Sequence, residues 1–255
     1  MTQRSLNAAL KPDAASIDPG EVEKFGRLAA EWWNPNGPMK PLHQINPVRL
    51  AYLRDQICRQ FDRDGEKYRP FEGLKLLDIG CGAGLLCEPM TRLGADVTGI
   101  DPAAQNVAVA RLHAEDADLE IDYREITVEA IAASDERFDV VLAMEVVEHV
   151  NDVPAFVKAA ASCLKPGGLL ALSTLNRTMR SFALAIVGAE YVLRWLPVGT
   201  HDWEKFVTPA ELEQAVTSAG LHQADLTGMI FNPLTRQWSL ARDTAVNYFL
   251  TASHA

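Results

Sequence analysis

The spacing of apolar residues changes near Leu74 and predicts two kinds of structure along the chain. From there onward, short apolar runs alternate with longer stretches in which apolar residues recur at helical spacing. The apolar runs are LKLLDIG, ADVTGID, EIDYREI, FDVVLAM and GLLALST. Alternating strands and helices of this kind predict an α/β fold, in which helices cover both faces of a mostly parallel sheet.

The N-terminal part of the chain has helical spacing only. Residues 18–33 predict a helix with Asp18 as its N-cap, Pro19 in the first turn and Glu21 three residues after the cap. A second helix is predicted over 45–61. The sequence therefore predicts three parts, a disordered tail, a helical cap and a main domain, over 1–17, 18–70 and 71–255.

The alternation is interrupted after Thr174 and then resumes with one helical stretch and two strands. The interruption predicts an insertion over about residues 176–206. The last two strands lie around HQADLTGMI and AVNYFLTA. The loop between them is too short for a crossover helix, so we expect them to be antiparallel.

Composition narrows the class of protein. Hydrophobic residues make up 48% of the chain and charged residues 23%, which is typical of a globular enzyme. A formal net charge of −10 repels phosphate backbones and argues against a nucleic-acid partner. The four cysteines form no CxxC pair, the N-terminus has no apolar signal segment, and no apolar run is long enough to span a membrane. These features predict an intracellular protein.

A glycine-rich turn follows the first strand of the main domain. Gly80, Gly82 and Gly84 allow the backbone to turn tightly and to approach a ligand without a Cβ in the way. Asp101 ends the next strand, 21 residues after Gly80, where a carboxylate can accept hydrogen bonds from ribose hydroxyls. This arrangement predicts a nucleotide-type cofactor at the carboxyl ends of the first two strands.

Two details favour S-adenosylmethionine over NAD or FAD as that cofactor. The glycines have GxGxG spacing, whereas a pyrophosphate-binding turn prefers GxGxxG. Asp78 stands just before the turn, a poor place for phosphates but a suitable one for a ligand with an ammonium and a sulfonium group. Met144 ends the fourth strand, where either a place beside the cofactor or a core position is expected.

Several motifs resemble those of a known family. LLDIGCGAG, GID and FDVVLAMEVVEHV resemble the class I S-adenosylmethionine-dependent methyltransferases. More specific are WWNPNGPMKPLHQINPVRL, MEVVEHV, STLNRTMRSF and PVGTHDWEKF, which together resemble the ubiquinone biosynthesis O-methyltransferases from about Val22 to the C-terminus. The resemblance implies a Rossmann-like fold with a seven-stranded, mostly parallel sheet and an antiparallel last strand. It also implies O-methylation of polyprenylated catechol-type intermediates at two steps of the pathway.

The resemblance also implies cofactor contacts at particular positions. They fall on Arg49, Gly80, Asp101 and Met144. Arg49 suits this role because a guanidinium can pair bidentately with the carboxylate of the cofactor. The alternative for Arg49 is a surface arginine on an N-terminal helix.

Glu145, Glu148 and His149 follow the fourth strand at spacings that place them on one face if a helix begins there. Two carboxylates and an imidazole at the carboxyl end of a strand suit Mg²⁺ or a similar hard cation. A divalent cation bound to both catechol oxygens would favour ionisation of a phenol whose pKa is otherwise about 10. The alternatives are metal-free acid–base chemistry and a structural role, because helix N-termini favour acidic residues.

Other polar residues on flanking segments are candidates for the reaction or for the surface: His43, His201, Asp202 and Lys205. His201 is the best candidate general base among them, because a neutral imidazole accepts protons near neutral pH. Three other functions stay open: a nicotinamide-dependent oxidoreductase, a methyltransferase of another small phenol, and a non-catalytic subunit of a quinone-biosynthesis assembly.

Residues 176–198 are strongly apolar and carry three arginines against one glutamate. Such a segment predicts contact with an anionic membrane surface, where a polyprenyl substrate would be collected. A lid that packs over the active site is the alternative. The expected location is therefore the cytoplasm, peripherally at the inner face of the membrane, with other ubiquinone-biosynthesis proteins as candidate partners.

Overall fold

The computed structural model of the chain describes residue 16 and residues 18–182, 203–235 and 237–254. In these residues an eight-stranded sheet is flanked by helices. The strands are β1 (Lys75–Ile79), β2 (Asp96–Ile100), β3 (Asp122–Arg124), β4 (Phe138–Met144), β5 (Leu164–Leu175), β6 (His222–Asn232), β7 (Gln237–Ala241) and β8 (Asn247–Ser253). The helices are α1 (Pro19–Arg27), α2 (Lys40–Gln60), α3 (Cys87–Arg92), α4 (Ala104–Asp116), α5 (Val128–Ala132), α6 (Val153–Ser162), α7 (Met179–Ser181) and α8 (Pro209–Ser218).

The order of the strands across the sheet is β3-β2-β1-β4-β5-β8-β6-β7. The first five strands along the chain are parallel, and β8 lies antiparallel between β5 and β6. The predicted α/β class, the mostly parallel sheet and the antiparallel last strand are therefore confirmed. The expected number of seven strands is one too few, because the chain reverses after Asn232 and β7 pairs with β6 at the edge.

The central strands are apolar on both faces because helices cover both sides of the sheet. In β4, every residue except Asp139 is buried. Two large apolar clusters result, one on each side of the sheet. The first includes residues of α2, α3 and α4, and the second includes residues of α6 and α8. Helices therefore pack on both faces of the sheet, and loops surround the edge at which the parallel strands end.

The N-terminal helices differ from their predicted bounds. Asp18 caps α1 as expected, since its side chain accepts a hydrogen bond from the N–H of Gly20. However, α1 ends at Arg27, and a short 3₁₀ helix over Ala29–Glu31 precedes two tryptophans that pack against the main domain. α2 begins at Lys40 rather than near residue 45, and Pro47 lies inside it.

The insertion after β5 is described only at its two ends. Thr178 caps α7 with its side chain, and Trp203–Lys205 form a 3₁₀ helix before α8. Most of the predicted membrane-facing segment 176–198 and nearly all of the predicted tail lie outside the described residues. Within the residues that are described, no helix has the length and hydropathy needed to cross a membrane. The division into tail, cap and main domain stays a prediction.

Candidate active site

A cavity of about 880 Å³ lies at the carboxyl ends of β1, β2 and β4. The loops that follow parallel strands meet at this edge, which is where open α/β sheets bind ligands. Helices α1 and α2 also line the cavity, so residues far apart in the sequence share one space. Charged residues of the strand ends, α1 and α2 line it, and apolar residues of α2 and of the β6–β7 hairpin line it as well.

The glycine turn after β1 has the backbone conformation that the sequence predicts. The φ angles are +67° at Gly80, +55° at Gly82 and +88° at Gly84, in the region that favours glycine. A Cβ at Gly82 would overlap the ring of Trp32, and one at Gly84 would overlap Tyr123. Gly80 lines the cavity, whereas Gly82 and Gly84 do not. Gly80 is therefore placed to contact a ligand, and the other two glycines allow close packing around the turn.

Asp101 lies directly after β2 and connects the glycine turn to α4. Its Oδ2 accepts a hydrogen bond from the N–H of Gly82 at 3.0 Å. Its Oδ1 accepts hydrogen bonds from the N–H of Ala103 at 2.8 Å and from the side-chain amide of Asn106 at 3.2 Å. Burial raises the pKa of Asp101, and these hydrogen bonds oppose the shift. The carboxylate lines the cavity at the predicted position.

Asp78 and Arg49 add opposite charges to the same wall. Burial raises the pKa of Asp78 to about 7, although Cys87 donates a hydrogen bond to the carboxylate at 3.2 Å. Arg49 on α2 is only 4% exposed, and its Nε and Nη2 make no hydrogen bond to any described residue. A buried carboxyl of this kind fits a cationic ligand, and a buried guanidinium with few hydrogen bonds of its own fits a carboxylate.

The chain turns sharply where β4 ends. Met144 is buried in the first apolar cluster and also lines the cavity, so a place beside the cofactor stays a prediction. Glu145 then has a φ of +57°, which is uncommon for a residue with a side chain. Ser173 on β5 donates a hydrogen bond to Glu145 Oε1 at 2.7 Å, and Arg49 Nη2 lies 3.6 Å from the same oxygen.

Glu148 and His149 have separate partners. Glu148 is 3% exposed, and its Oε2 accepts a hydrogen bond from Thr174 Oγ1 at 2.7 Å. Burial, together with the nearby charge of Glu145, raises the pKa of Glu148. His149 Nδ1 lies 3.0 Å from Glu21 Oε2, and this hydrogen bond lowers the pKa of the Glu21 carboxyl.

The predicted geometry of the metal-ligand set is wrong. The helix that would place Glu145, Glu148 and His149 on one face does not form, because the backbone turns at Glu145 and only Val147–His149 form a 3₁₀ helix. All three side chains line the cavity, but they are held by Ser173, Thr174 and Glu21 respectively. Among the described residues, no three His, Cys, Asp or Glu side chains are grouped so that they could hold a metal ion.

Two of the four other polar candidates, His43 and Lys205, lie in the described residues, and both make structural contacts. His43 Nε2–H donates to the carbonyl oxygen of Trp32 at 2.8 Å, which is a structural contact. Lys205 Nζ pairs with Asp18 at 2.8 Å and connects the end of the insertion to the start of α1. His201 and Asp202 lie outside the described residues. The general-base role of His201 therefore stays a prediction.

Sequence reasoning missed the residues that reach the site from distant parts of the chain. Glu21 was assigned to the cap of α1, but its carboxylate binds His149. Ser173 and Thr174 were treated as strand residues, although both orient glutamates of the site. Their only signal in the sequence is that two hydroxyl residues stand at the carboxyl end of an otherwise apolar strand.

Comparisons with known proteins define the class of protein. Residues 49–224 match a family model described as a methyltransferase domain. The structure of magnesium protoporphyrin IX methyltransferase from Synechocystis PCC 6803 with bound SAM aligns with a TM-score of 0.61 and 18% identity, and covers 98% of this chain and 100% of that chain. A SAM-dependent methyltransferase from Thermotoga maritima aligns with a TM-score of 0.59 and 18% identity, over 92% of this chain and 99% of that one. The fold is that of the class I methyltransferases.

Relatives with higher identity define the family within that class. The ubiquinone biosynthesis O-methyltransferase of Methylobacterium nodulans is 62% identical over 237 residues, which are 93% of this chain and 95% of that protein. The protein of the same name from Cereibacter sphaeroides is 61% identical over 241 residues, which are 94% and 97% of the two chains. This chain belongs to the ubiquinone biosynthesis O-methyltransferase family, as the sequence motifs predict.

Proposed function

We propose that this chain transfers the methyl group of S-adenosylmethionine to a hydroxyl of polyprenylated catechol-type intermediates, at both O-methylation steps of ubiquinone biosynthesis. The observation that carries the proposal is nearly full-length identity of 62% with a relative of that name. The cavity supports it, because a charged cofactor half and an apolar acceptor half meet at the end of β4.

The charged half of the cavity fits the cofactor. Its amino-acid part carries an ammonium and a carboxylate, which suit Asp78 and the guanidinium of Arg49, whose Nε makes no hydrogen bond to a described residue. Its ribose suits Asp101, whose carboxylate oxygens keep lone pairs beyond those used by backbone N–H groups. When bound, the cofactor supplies a methyl group on a sulfonium. Methyl transfer would need the acceptor oxygen in line with that methyl group, and such positioning supplies much of the rate.

The apolar half of the cavity fits a polyprenylated ring. Side chains of α2 and of the β6–β7 hairpin form this part of the wall: Pro41, Leu42, Ile45, Phe231 and Trp238. The rings of Phe231 and Trp238 lie 5.2 Å apart between their centroids. Burying a prenyl chain against such a surface stabilises the complex by about 25 cal/mol per Å² of apolar area. We therefore expect affinity to rise with each added prenyl unit until the chain leaves the cavity.

The acceptor phenol must lose its proton, and two hypotheses name the residue that receives it. One is a carboxylate of the pair Glu145 and Glu148, which lies next to Met144 in the cavity wall. The other is His201, from the part of the insertion outside the described residues. The variants Glu148→Gln and His201→Gln separate them. The variant that removes the acceptor lowers kcat at saturating substrate, whereas the other leaves kcat close to that of the wild type.

A divalent cation at Glu145, Glu148 and His149 remains a hypothesis from the sequence. The described contacts occupy Glu145 Oε1, Glu148 Oε2 and His149 Nδ1, so a cation would have to bind the other oxygen of each carboxylate and the other ring nitrogen. No step of the reaction is assigned to a metal. The test is activity after exhaustive chelation, followed by addition of Mg²⁺, Mn²⁺ or Zn²⁺. Recovery of activity on addition would support the cation, and full activity in chelator would reject it.

Peripheral contact with the inner face of the membrane is also part of the proposal. At the described start of the segment 176–198, Met179 is 72% exposed and Phe182 is 37% exposed. Flotation with anionic liposomes tests the contact, using Arg177→Glu/Arg180→Glu/Arg194→Glu as the variant. Arg59→Glu/Arg69→Glu changes exposed arginines that do not line the cavity and is the control. We expect only the first variant to stop floating. A wild type that never floats would reject the contact.

Incubation with methyl-labelled S-adenosylmethionine and a short-chain polyprenyl catechol tests the function itself. The expected product is a labelled methyl ether on the ring. A simple catechol without a prenyl chain is the matched substrate control, and it should react with a higher KM. Equal use of both substrates would indicate a methyltransferase of small phenols. Cofactor binding without any product would indicate a non-catalytic subunit.

A further inference from the structure

Two adjacent tryptophans contact the glycine turn, and Trp32 also lines the cavity, whereas Trp33 does not. Trp33 Nε1 donates a hydrogen bond to the carbonyl oxygen of Ala83, in the middle of the turn, at 3.0 Å. The Trp32 ring fills the space where a Cβ of Gly82 would lie. Trp32 is 8% exposed and packs in one apolar cluster with Ala83 and Leu85. A segment that precedes the main domain thus contacts the middle of the turn.

Other contacts hold Trp33 in this place. Its ring is stacked on the imidazole of His113 from α4, with centroids 3.5 Å apart and planes at 2°. His113 Nδ1 pairs with Glu88, a buried residue of α3 that also binds Arg92 at 3.2 Å. The indole is therefore fixed by the two helices that follow the glycine turn and β2.

A side chain of α2 also binds the end of the same turn. The side-chain amide of Asn46 donates to the carbonyl oxygen of Leu85 at 3.0 Å. His43, one turn earlier in α2, donates to the carbonyl oxygen of Trp32. Ala83 and Leu85 thus have their carbonyl oxygens bound by the N-terminal segment, whereas the N–H of Gly82 is bound by Asp101 from within the main domain.

Side chains from two different segments therefore bind neighbouring peptides of the turn. Asp101 holds the Gly82 N–H, and Trp33 holds the next carbonyl group, that of Ala83. The backbone supplies two further hydrogen bonds to the turn, from the N–H of Cys81 to Ile100 and from the N–H of Gly84 to Cys81, both at 3.0 Å. Neither of them binds the Ala83 oxygen, to which Trp33 donates, so loss of the Trp33 bond would leave the Ala83 peptide less well fixed. A small rotation of the Ala83 peptide would move Gly80 and Asp101 relative to each other.

We propose that Trp33 is a positioning residue for cofactor binding, which acts through the Ala83 carbonyl group on the glycine turn. Loss of its N–H leaves the Ala83 oxygen without this donor and lets the turn sample other orientations. Cofactor affinity then falls although Trp33 is not assigned any contact with the cofactor. The proposal rests on the proposed function, because it assumes that the turn binds S-adenosylmethionine.

The test compares Trp33→Phe with Trp203→Phe. Both variants keep an aromatic ring and lose one hydrogen bond from an indole N–H to a carbonyl oxygen, since Trp203 Nε1 donates to Thr178 at 3.1 Å. Trp203 lies next to α7, away from the glycine turn. Calorimetry with S-adenosylhomocysteine measures cofactor affinity, denaturant titration measures stability, and hydrogen exchange reports on the amides of residues 82–86.

We expect Trp33→Phe to weaken affinity by about three- to ten-fold, as loss of one hydrogen bond would do. Its amides over 82–86 should exchange faster, while kcat at saturating cofactor and the KM of the acceptor stay unchanged. Trp203→Phe should bind within about two-fold of the wild type, with unchanged exchange over 82–86. Wild-type affinity in Trp33→Phe, or an equal loss in both variants, would overturn the proposal. A wild type that does not bind the ligand would instead reject the proposed function, and the exchange data would still decide whether Trp33 holds the turn.

Discussion

The ends of β1 and β2 differ from the end of β4 in how their carboxylates are held. At β1 and β2, Asp101 accepts hydrogen bonds from backbone N–H groups of its own and the neighbouring loop. At β4, Glu145 and Glu148 are held by hydroxyl groups of β5, and His149 is held by Glu21 of α1. In the first region the hydrogen bonds to Asp101 come from the two loops beside it and from the start of α4, whereas in the second region they come from side chains of more distant segments.

This difference indicates that the region at β1 and β2 suits cofactor binding and that the region at β4 suits reaction of the acceptor. Backbone donors that are fixed by a strand and a helix start give a rigid site, as a cofactor shared by many methyltransferases requires. Side chains of β5 and α1 give a site that can differ between relatives with other acceptors. We therefore expect variants at β1 and β2 to change cofactor affinity, and variants at β4 to change turnover.

The largest effect is expected from Glu148→Gln, which keeps the shape of the side chain and removes its charge. On the hypothesis that Glu148 receives the phenol proton, turnover should fall about 100-fold or more, because loss of an acid–base group in an active site has effects of this size. Cofactor affinity should change little. Steady-state kinetics and calorimetry measure the two quantities, with Glu66→Gln, a 96% exposed side chain, as the control. Near-normal turnover in Glu148→Gln would remove Glu148 from the reaction.

Asp101→Ala should have the next largest effect, on cofactor affinity. Loss of charge-assisted hydrogen bonds to ribose hydroxyls should cost about 1.5–3 kcal/mol of binding free energy. Calorimetry with S-adenosylhomocysteine measures it. Asp55→Ala, which breaks an exposed ion pair with Arg59, is the matched control. If Asp101→Ala binds as tightly as the control, the ribose is held elsewhere.

Asp78→Asn should change how stability depends on pH. The pKa of Asp78 is raised from 3.8 to about 7 in the folded protein, so folding favours its protonated form. The protonated carboxyl therefore contributes most to the free energy of unfolding at low pH. This contribution is lost as pH rises through about 7, by about 1–3 kcal/mol between pH 5 and pH 8. The Asp78→Asn variant, measured without ligand, should not show this decrease in the free energy of unfolding. Denaturant unfolding at several pH values should show the variant gaining on the wild type as pH rises, and a constant difference would contradict the raised pKa.

The smallest effect is expected from Ser173→Ala at the end of β5. It removes the hydroxyl that orients Glu145, and about 1 kcal/mol of lost hydrogen bonding should lower turnover a few-fold. Cofactor affinity should stay that of the wild type. Ser162→Ala, which loses a hydroxyl contact on α6 far from the cavity, is the control for a general loss of stability. A change in cofactor affinity alone would instead assign Ser173 to the cofactor region at β1 and β2.

The contrast between the regions also explains how much could be predicted from sequence. The apolar runs predict β1, β2, β4 and β5 because buried parallel strands need continuous apolar residues. Asp78, Gly80 and Asp101 lie in the cavity wall because they stand at or just after the ends of those strands, whereas Gly82 and Gly84 do not line it. Their roles in cofactor binding stay predictions. Arg49 was assigned through family resemblance, and the structure places its guanidinium in the same wall.

What could not be predicted depends on contacts between distant segments. The spacing of Glu145, Glu148 and His149 suggested one helical face, but the bond from His149 to Glu21 requires knowledge of where α1 lies. β7 was missed because its residues are mostly exposed, so they lack the apolar run that identified other strands. The contact of Trp33 with Ala83 likewise follows from packing of the N-terminal segment on the turn, which no local pattern encodes.

The most direct test of the account is one set of kinetics on Asp101→Ala and Glu148→Gln with the same catechol substrate. Initial rates of labelled methyl transfer would be measured over a full range of S-adenosylmethionine concentrations. The account predicts that Asp101→Ala raises the KM for the cofactor and recovers most of kcat at saturation. It predicts that Glu148→Gln loses kcat at every cofactor concentration with an unchanged KM. If both variants change the same parameter, the division of the cavity into a cofactor region at β1 and β2 and an acceptor region at β4 is contradicted.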